Sequence, residues 1–203
     1  MRIRSITVFS GLDLPPSRGQ IAELSAFAAT AREAFTMAGY EVQTARLATD
    51  LFPVLGRPEY VKDALDLVEE LESVCSDLGF EYVSLGPAGA DTQPLIPEIL
   101  KRTETIFATC HIAPPDLGLI DGESIDEAAW IMREAAVIDE GFGNLRFAAL
   151  ANVPPGTPFF PAAYWTEETR AFGIATESAD LAMEACENSG SAPSAHDALV
   201  SSI

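Results

Sequence analysis

Positive charge is scarce in this sequence. Twelve Lys and Arg stand against 31 Asp and Glu, giving a net charge of -19. Such a surface repels phosphate backbones and anionic bilayers, which argues against nucleic acid and membranes as partners. A soluble acidic exterior accounts for the imbalance; a pocket for cations is the functional alternative. Cysteine is also rare: Cys75, Cys110 and Cys186 are widely spaced and odd in number. They encode no disulfide framework, and the chain reads as cytoplasmic. Two histidines, with no HxxxH or CxxC spacing, give no metal signature. No segment approaches the ~18 apolar residues of a membrane span, and the apolar run in MRIRSITVFSG is too short for a signal peptide. GxGxxG, P-loop and GxSxG patterns are absent, so no cofactor is named by motif.

What is present is a regular alternation. The 203 residues are 48% hydrophobic, enough for one sizeable core or a large half of something bigger. Strand patterns fall at residues 3–11, 40–49, 80–89, 105–113 and 145–153. Helical patterns lie between them: residues 20–39 with Ile21, Leu24, Phe27, Ala31 and Phe35 in register, a second with Val61, Leu65, Val68, Leu71 and Cys75, a short one at 95–101, and one from Ser124 to about Ile138. SIDE at the start of the last reads as a capping box with Glu127. Strands alternating with helices imply βα units and an α/β fold with a mostly parallel sheet. Residues 1–190 read as one α/β domain. Residues 191–203 read as a linker and the beginning of a helix capped at Ser194, as if the chain stopped inside an element.

The stretch NLRFAALANVPPGTPFFPAAYW joins a strand to a loop with four prolines in eight residues. Arg146 and Asn152 share a strand face but lie six residues apart, roughly 20 Å, so they cannot grip one small ligand. Pro155 and Gly156 suit the centre of a type II turn. Pro154, Pro158 and Pro161 remove backbone donors, and the result is a stiff loop over the strand end. Its aromatics Phe159, Phe160, Tyr164 and Trp165 fit a pocket wall or a subunit contact equally well.

In α/β sheets ligands bind beyond the carboxyl ends of the strands. Applied strand by strand, the rule collects Ser10, Gly11, Asp13, Arg46, Thr49, Ser84, Gly86, Thr109, Cys110, His111 and Asn152. Arg46 is the notable member, an anchor for an anion or, alternatively, one half of a salt bridge. Cys110 and His111, being adjacent on a strand, point to opposite faces and cannot act on each other.

GFGNLRFAALANVPPGTPFFPAAYW, followed by FGIATESADLAMEACENSGS, resembles the domain-of-unknown-function 711 family of prokaryotic proteins. RIRSITVF, EVQTARLAT and FEYVSLGP look like its N-terminal pattern. The resemblance implies a fold similar to half of the ten-stranded α/β barrel of pyruvate formate-lyase-type glycyl radical enzymes. It implies architecture only, since neither a glycine loop nor a tip-loop cysteine pair is visible. It also implies that a second half follows in longer relatives. Arg46, Asn144, Arg146, Asn152 and the loop at 154–164 carry over without assigned roles.

Two functions follow as expectations. One is a small-molecule metabolic enzyme with an anion-anchoring site formed by Arg46, Ser84, Asn152, Thr157 and Tyr164. The other is a non-catalytic, homo-oligomeric or ligand-sensing protein whose aromatic loop makes the subunit contact. Catalytic residues, cofactor and substrate stay unassigned.

Overall fold

In the computed structural model, which describes residues 2–115 and 118–202, the expected alternation is realised. Met1 and Ile203, at the ends of the stretches read above, lie outside the described residues. β1 (Arg2–Phe9), α1 (Arg18–Met37), β2 (Val42–Ala48), the single turn α2 (Phe52–Leu55), α3 (Ala64–Asp77), β3 (Tyr82–Ala88), α4 (Ile96–Arg102), β4 (Ile106–Ala113), α5 (Gly122–Ala135) and β5 (Phe147–Ala151) follow in turn. β6 (Ala171–Glu177), α6 (Ala179–Glu187) and α7 (Ala192–Ser202) complete the chain. Ser17 opens α1 by accepting a hydrogen bond from the Gln20 amide, and Gly39, at φ +92°, supplies the left-handed turn after it.

The sheet runs β5-β4-β3-β2-β1-β6. β1 to β5 are parallel, and β6 returns antiparallel along β1. Each βα unit therefore steps one strand sideways in the same direction, and the sheet curls into a half-barrel. One core lies between helices and sheet. Val8, Ala45, Leu47, Val83, Leu85, Ala108 and Cys110 meet Ile21 and Leu24 of α1, Val68 and Leu71 of α3, Ile99 of α4 and Ile131 of α5. The alternate residues face the other way. Their character is different: Ser5, Thr7 and Phe9 on β1, Thr44 and Arg46 on β2, Tyr82 and Ser84 on β3, Phe107, Thr109 and His111 on β4.

Several local expectations are corrected by packing. On α1 the buried stripe is Ile21, Leu24 and Ala28, while Phe27 is half-exposed and stacks on Phe172 of β6 at 5.3 Å. Val61 precedes α3 instead of belonging to it. α5 begins at Gly122 because Asp121, not Ser124, is its cap, accepting from the Glu123 and Ser124 amides. After the proline loop a further strand, the seven-residue β6, joins the five expected. Residues 192–202 form an 11-residue helix, α7, packed on α6, and so begin two residues before Ser194.

The largest departure is at the fifth strand. Residues 145 and 146, read as strand, belong to a run of 3-10 turns, Asp139–Arg146, and the strand is only Phe147–Ala151. Arg146 explains why. Its guanidinium is buried and donates to the carbonyls of Thr103, at 2.7 Å, and Leu100, the orphan acceptors at the end of α4. Asp139 lies 3.9 Å away as its counter-ion. Burial holds the guanidinium below its ordinary pKa, with Asp139 pulling it back up. Arg146 is thus a helix cap from a neighbouring element, and a strand conformation would turn it away. We expect Arg146→Met to lower stability in urea titration by about 2–4 kcal/mol, because buried carbonyls lose charge-assisted partners; a change below ~0.5 kcal/mol would contradict this role.

Candidate functional site

The connection from β5 to β6 must travel from one edge of the sheet to the opposite edge, and it does so across the concave face. Residues 154–165 form a strap. Gly156, at φ +90°, donates its amide to the Tyr164 carbonyl at 2.9 Å and so closes a compact loop. The positive φ fits the turn position expected for it. Three of the four aromatics turn inward. Phe160 stands edge-on to Phe107 at 5.2 Å, Tyr164 to His111 at 5.5 Å, and Trp165 tilts against Phe9 at 5.4 Å. Phe159 alone of the four points to solvent. Pro158 rests on Gly173 of β6, where a Cβ would stand 3.2 Å from the proline ring and the same distance from Phe9.

Arg46 sits in the middle of β2, not at its end, level with Thr7 and Tyr82. Its guanidinium carbon lies 5.4 Å from the Tyr82 ring centre and 5.2 Å from that of Phe160. Nε donates to Thr44 Oγ1 at 3.0 Å. No ion pair holds it among the described residues, on a protein where acids outnumber bases. Arg57 and Lys62 also lack an acidic partner among the described residues, but they stand in solvent. Arg46 is half-buried, and that desolvation lowers its pKa, opposed by Tyr82 and Glu81 and reinforced by Arg4. Ring contacts offset part of the desolvation, about 0.5–1 kcal/mol each. Both Nη groups keep their hydrogen-bonding capacity.

Ser84 is fully buried and donates to the Ala163 carbonyl at 2.6 Å, so it fastens the strap to β3. Tyr164 is buried and donates to the Val153 carbonyl at 2.8 Å, tying the two limbs of the strap together. Thr157 is half-buried within the strap. Asn152 ends β5 in the left-handed region, at φ +55°, with its amide on the Ala113 carbonyl at 2.8 Å. Arg46, Ser84 and Tyr164 are thus gathered beneath or within the strap. Asn152 is not. Ser84 is level with Phe107, and Ala151 with Ala113, which separates Ser84 from Asn152 by about 20 Å along the strand axis. Cys110 faces the helix-side core, where burial pushes its thiol up to about 12, while His111 meets Tyr164 on the other face. The opposed orientation read from their adjacency holds.

One residue escaped the sequence reading. Asp50 follows β2, and burial alone raises its carboxyl to about 6. It presses against Gly86, at φ +81°, where a Cβ would come within 2.7 Å of the Thr49 carbonyl and 3.1 Å of the Asp50 Cα. No hydrogen bond or ion pair among the described residues offsets that desolvation, so the carboxyl holds its proton more tightly than an exposed aspartate. Nothing in the sequence marked it, because it is one acid among 31. A recess of about 380 Å³ lies elsewhere, beside α1, lined by Ala28, Arg32, Thr36, Met37 and Leu78. Of the two charged residues lining it, Arg32 pairs with Glu81 at 2.6 Å, with Glu81 also accepting the Ala45 amide, and Glu33 is exposed.

The comparison with protein-family models decides the kinship. The model described as Uncharacterised ACR (DUF711) matches residues 1–202. The chain belongs to the DUF711 family. None of the curated proteins matches it. In this DUF711 chain the residues picked out by the resemblance divide by structural duty. Arg146 caps α4, Asn144 lies in the 3-10 turns before β5, Asn152 ends β5, the 154–164 loop is the strap, and Arg46 is the half-buried cation beneath it.

The Asp50 environment gives a pH signature. The folded pKa lies above the unfolded one, so the proton binds more tightly to the folded state. Relative to Asp50→Asn, wild-type stability is unchanged below about pH 4 and falls as pH rises through about 6. We expect Asp50→Asn to be more stable at pH 8 by on the order of 1 kcal/mol after solvent screening. Equal pH dependence of the two proteins in thermal melts would show that Asp50 titrates normally.

Proposed function

We propose that this DUF711 chain is a small-molecule enzyme whose substrate carries a carboxylate or phosphate held by Arg46 on the concave face. The observation that carries the reading is the half-buried guanidinium, clamped between Tyr82 and Phe160 with its Nη groups unpaired by any acid among the described residues. An arginine drawn out of water without a counter-ion is costly unless an anion completes it. Its planar fork suits two oxygens of one carboxylate or phosphate. Asp50, two residues past the end of β2 and no more than roughly 14 Å from Arg46 along the chain, is the proton-transferring group within reach of an extended substrate. Ser84, Tyr164 and Thr157 act through the strap that positions Phe160, and Asn152 stands outside this site.

A panel of small carboxylates and phosphates, screened by thermal shift, tests the reading. Stabilisation of the wild type by one or more members, lost in Arg46→Gln, is the expected result. A panel without effect on the wild type, or with equal effect on Arg46→Gln, removes the reading.

The second reading, a non-catalytic homo-oligomer, draws on exposed apolar side chains and not on the strap. Val137, Phe142 and Leu145 stand in solvent before the edge strand β5. Light scattering across a concentration series is expected to show a dimer or larger species if that surface is a contact. Phe142→Ser combined with Leu145→Ser would then return it to a monomer.

A further inference from the structure

The face beneath the strap carries an anomaly. Ser5 and Thr7 of β1 are fully buried, and neither hydroxyl has a hydrogen-bond partner among the described residues. Thr109 of β4, on the same face, is in the same condition. A buried hydroxyl left unpaired costs about 1–3 kcal/mol. Hydroxyls on the helix side of this sheet would be unremarkable errors of packing, but there are none: that side is Ile6, Val8, Ala45, Leu47, Val83 and Leu85. On these strands the buried hydroxyls without a partner lie on the concave face, the one the strap crosses.

Register places the anomaly beside Arg46. Thr7 pairs with Arg46 and Ser5 with Thr44, adjacent strands about 4.8 Å apart with side chains on one face. Two hydroxyls that can donate or accept, a guanidinium with free Nη groups, and the rings of Tyr82, Phe107 and Phe160 are therefore contiguous. The bonds that hold the cover to the sheet include the Ser84 hydroxyl to Ala163 and a long contact of 3.4 Å from the Trp165 amide to the Thr49 carbonyl, beside the ring contacts of Phe160, Tyr164 and Trp165. Residues 166–170, which lead from it to β6, are exposed.

We propose that the strap is a movable cover over a polar ligand site and that the anion it admits is polyhydroxylated, a sugar phosphate or sugar acid. This rests on the anion-anchor reading of Arg46 and deepens it. The anionic group binds the guanidinium. Ligand hydroxyls satisfy Thr7 and Ser5, which have no partner while Phe160 covers the site. The apolar face of the sugar ring packs on Tyr82 and Phe107. Entry requires Phe160 and its neighbours to lift.

The test uses calorimetric titration of the full chain with 6-phosphogluconate and glucose 6-phosphate, and with glutarate and inorganic phosphate as anions lacking hydroxyl-bearing carbon. Hydrogen exchange of residues 156–165 is followed in parallel. Thr7→Val keeps the side-chain shape and removes the hydroxyl; Thr7→Ser keeps the hydroxyl. At least one hydroxylated anion is expected to bind more tightly than both controls. Thr7→Val should cut that margin by about tenfold while Thr7→Ser preserves it. Exchange in the strap should change on binding. Controls that bind as tightly as the sugars, or a margin indifferent to Thr7→Val, overturn the inference while leaving the anion anchor standing. Tight binding with unchanged exchange in the strap overturns the movable cover. If no anion binds and Arg46→Gln alters nothing, both readings fall together.

Discussion

A parallel sheet is covered on both faces, because its crossover connections pack against it and the side chains of its strands are largely apolar. Here the strand order decides what does the covering. Successive βα units step sideways without reversing, so the helices accumulate on one face and the opposite face turns concave. A doubly wound sheet would have divided its helices between the two faces and created a switch-point crevice. This sheet has neither. The single long connection that must pass from β5 to β6 crosses the concave face and becomes its cover.

That requirement accounts for the composition of the strap. Prolines keep it from joining an edge strand or coiling into a helix, and they reduce the entropy it loses on being fixed. Its aromatics are spent on the sheet beneath: Phe160 on Phe107 and Arg46, Tyr164 on His111, Trp165 on Phe9. The floor beneath it is mixed: Phe9, Ala48 and Phe107 take the strap's rings, while buried serine and threonine hydroxyls and a half-buried arginine share the same face.

The order and type of the elements were legible because a period near 3.6 in the helices and β-branched runs in the strands are local properties. So was the opposition of Cys110 and His111, which follows from the two-residue repeat of any strand. The misread places share one cause. Arg146 leaves the strand because the carbonyls it caps belong to α4, more than forty residues earlier. The α5 cap lies at Asp121 and not at Ser124 because the Glu123 and Ser124 amides both reach its carboxylate. Arg46 was placed at a strand end, yet its level in the sheet is set by pairing with Thr7 and Tyr82.

Sequence by itself determined that this chain is an α/β protein of DUF711 type with a stiff aromatic loop after its fifth strand, since periodicity, turn chemistry and family pattern are all written locally. Only tertiary structure decided that the loop folds back over the sheet and that Asp50 is desolvated. Register alone set Arg46 beside Thr7 and kept Asn152 remote. Register and burial are properties of pairs of distant segments, and no single segment carries them.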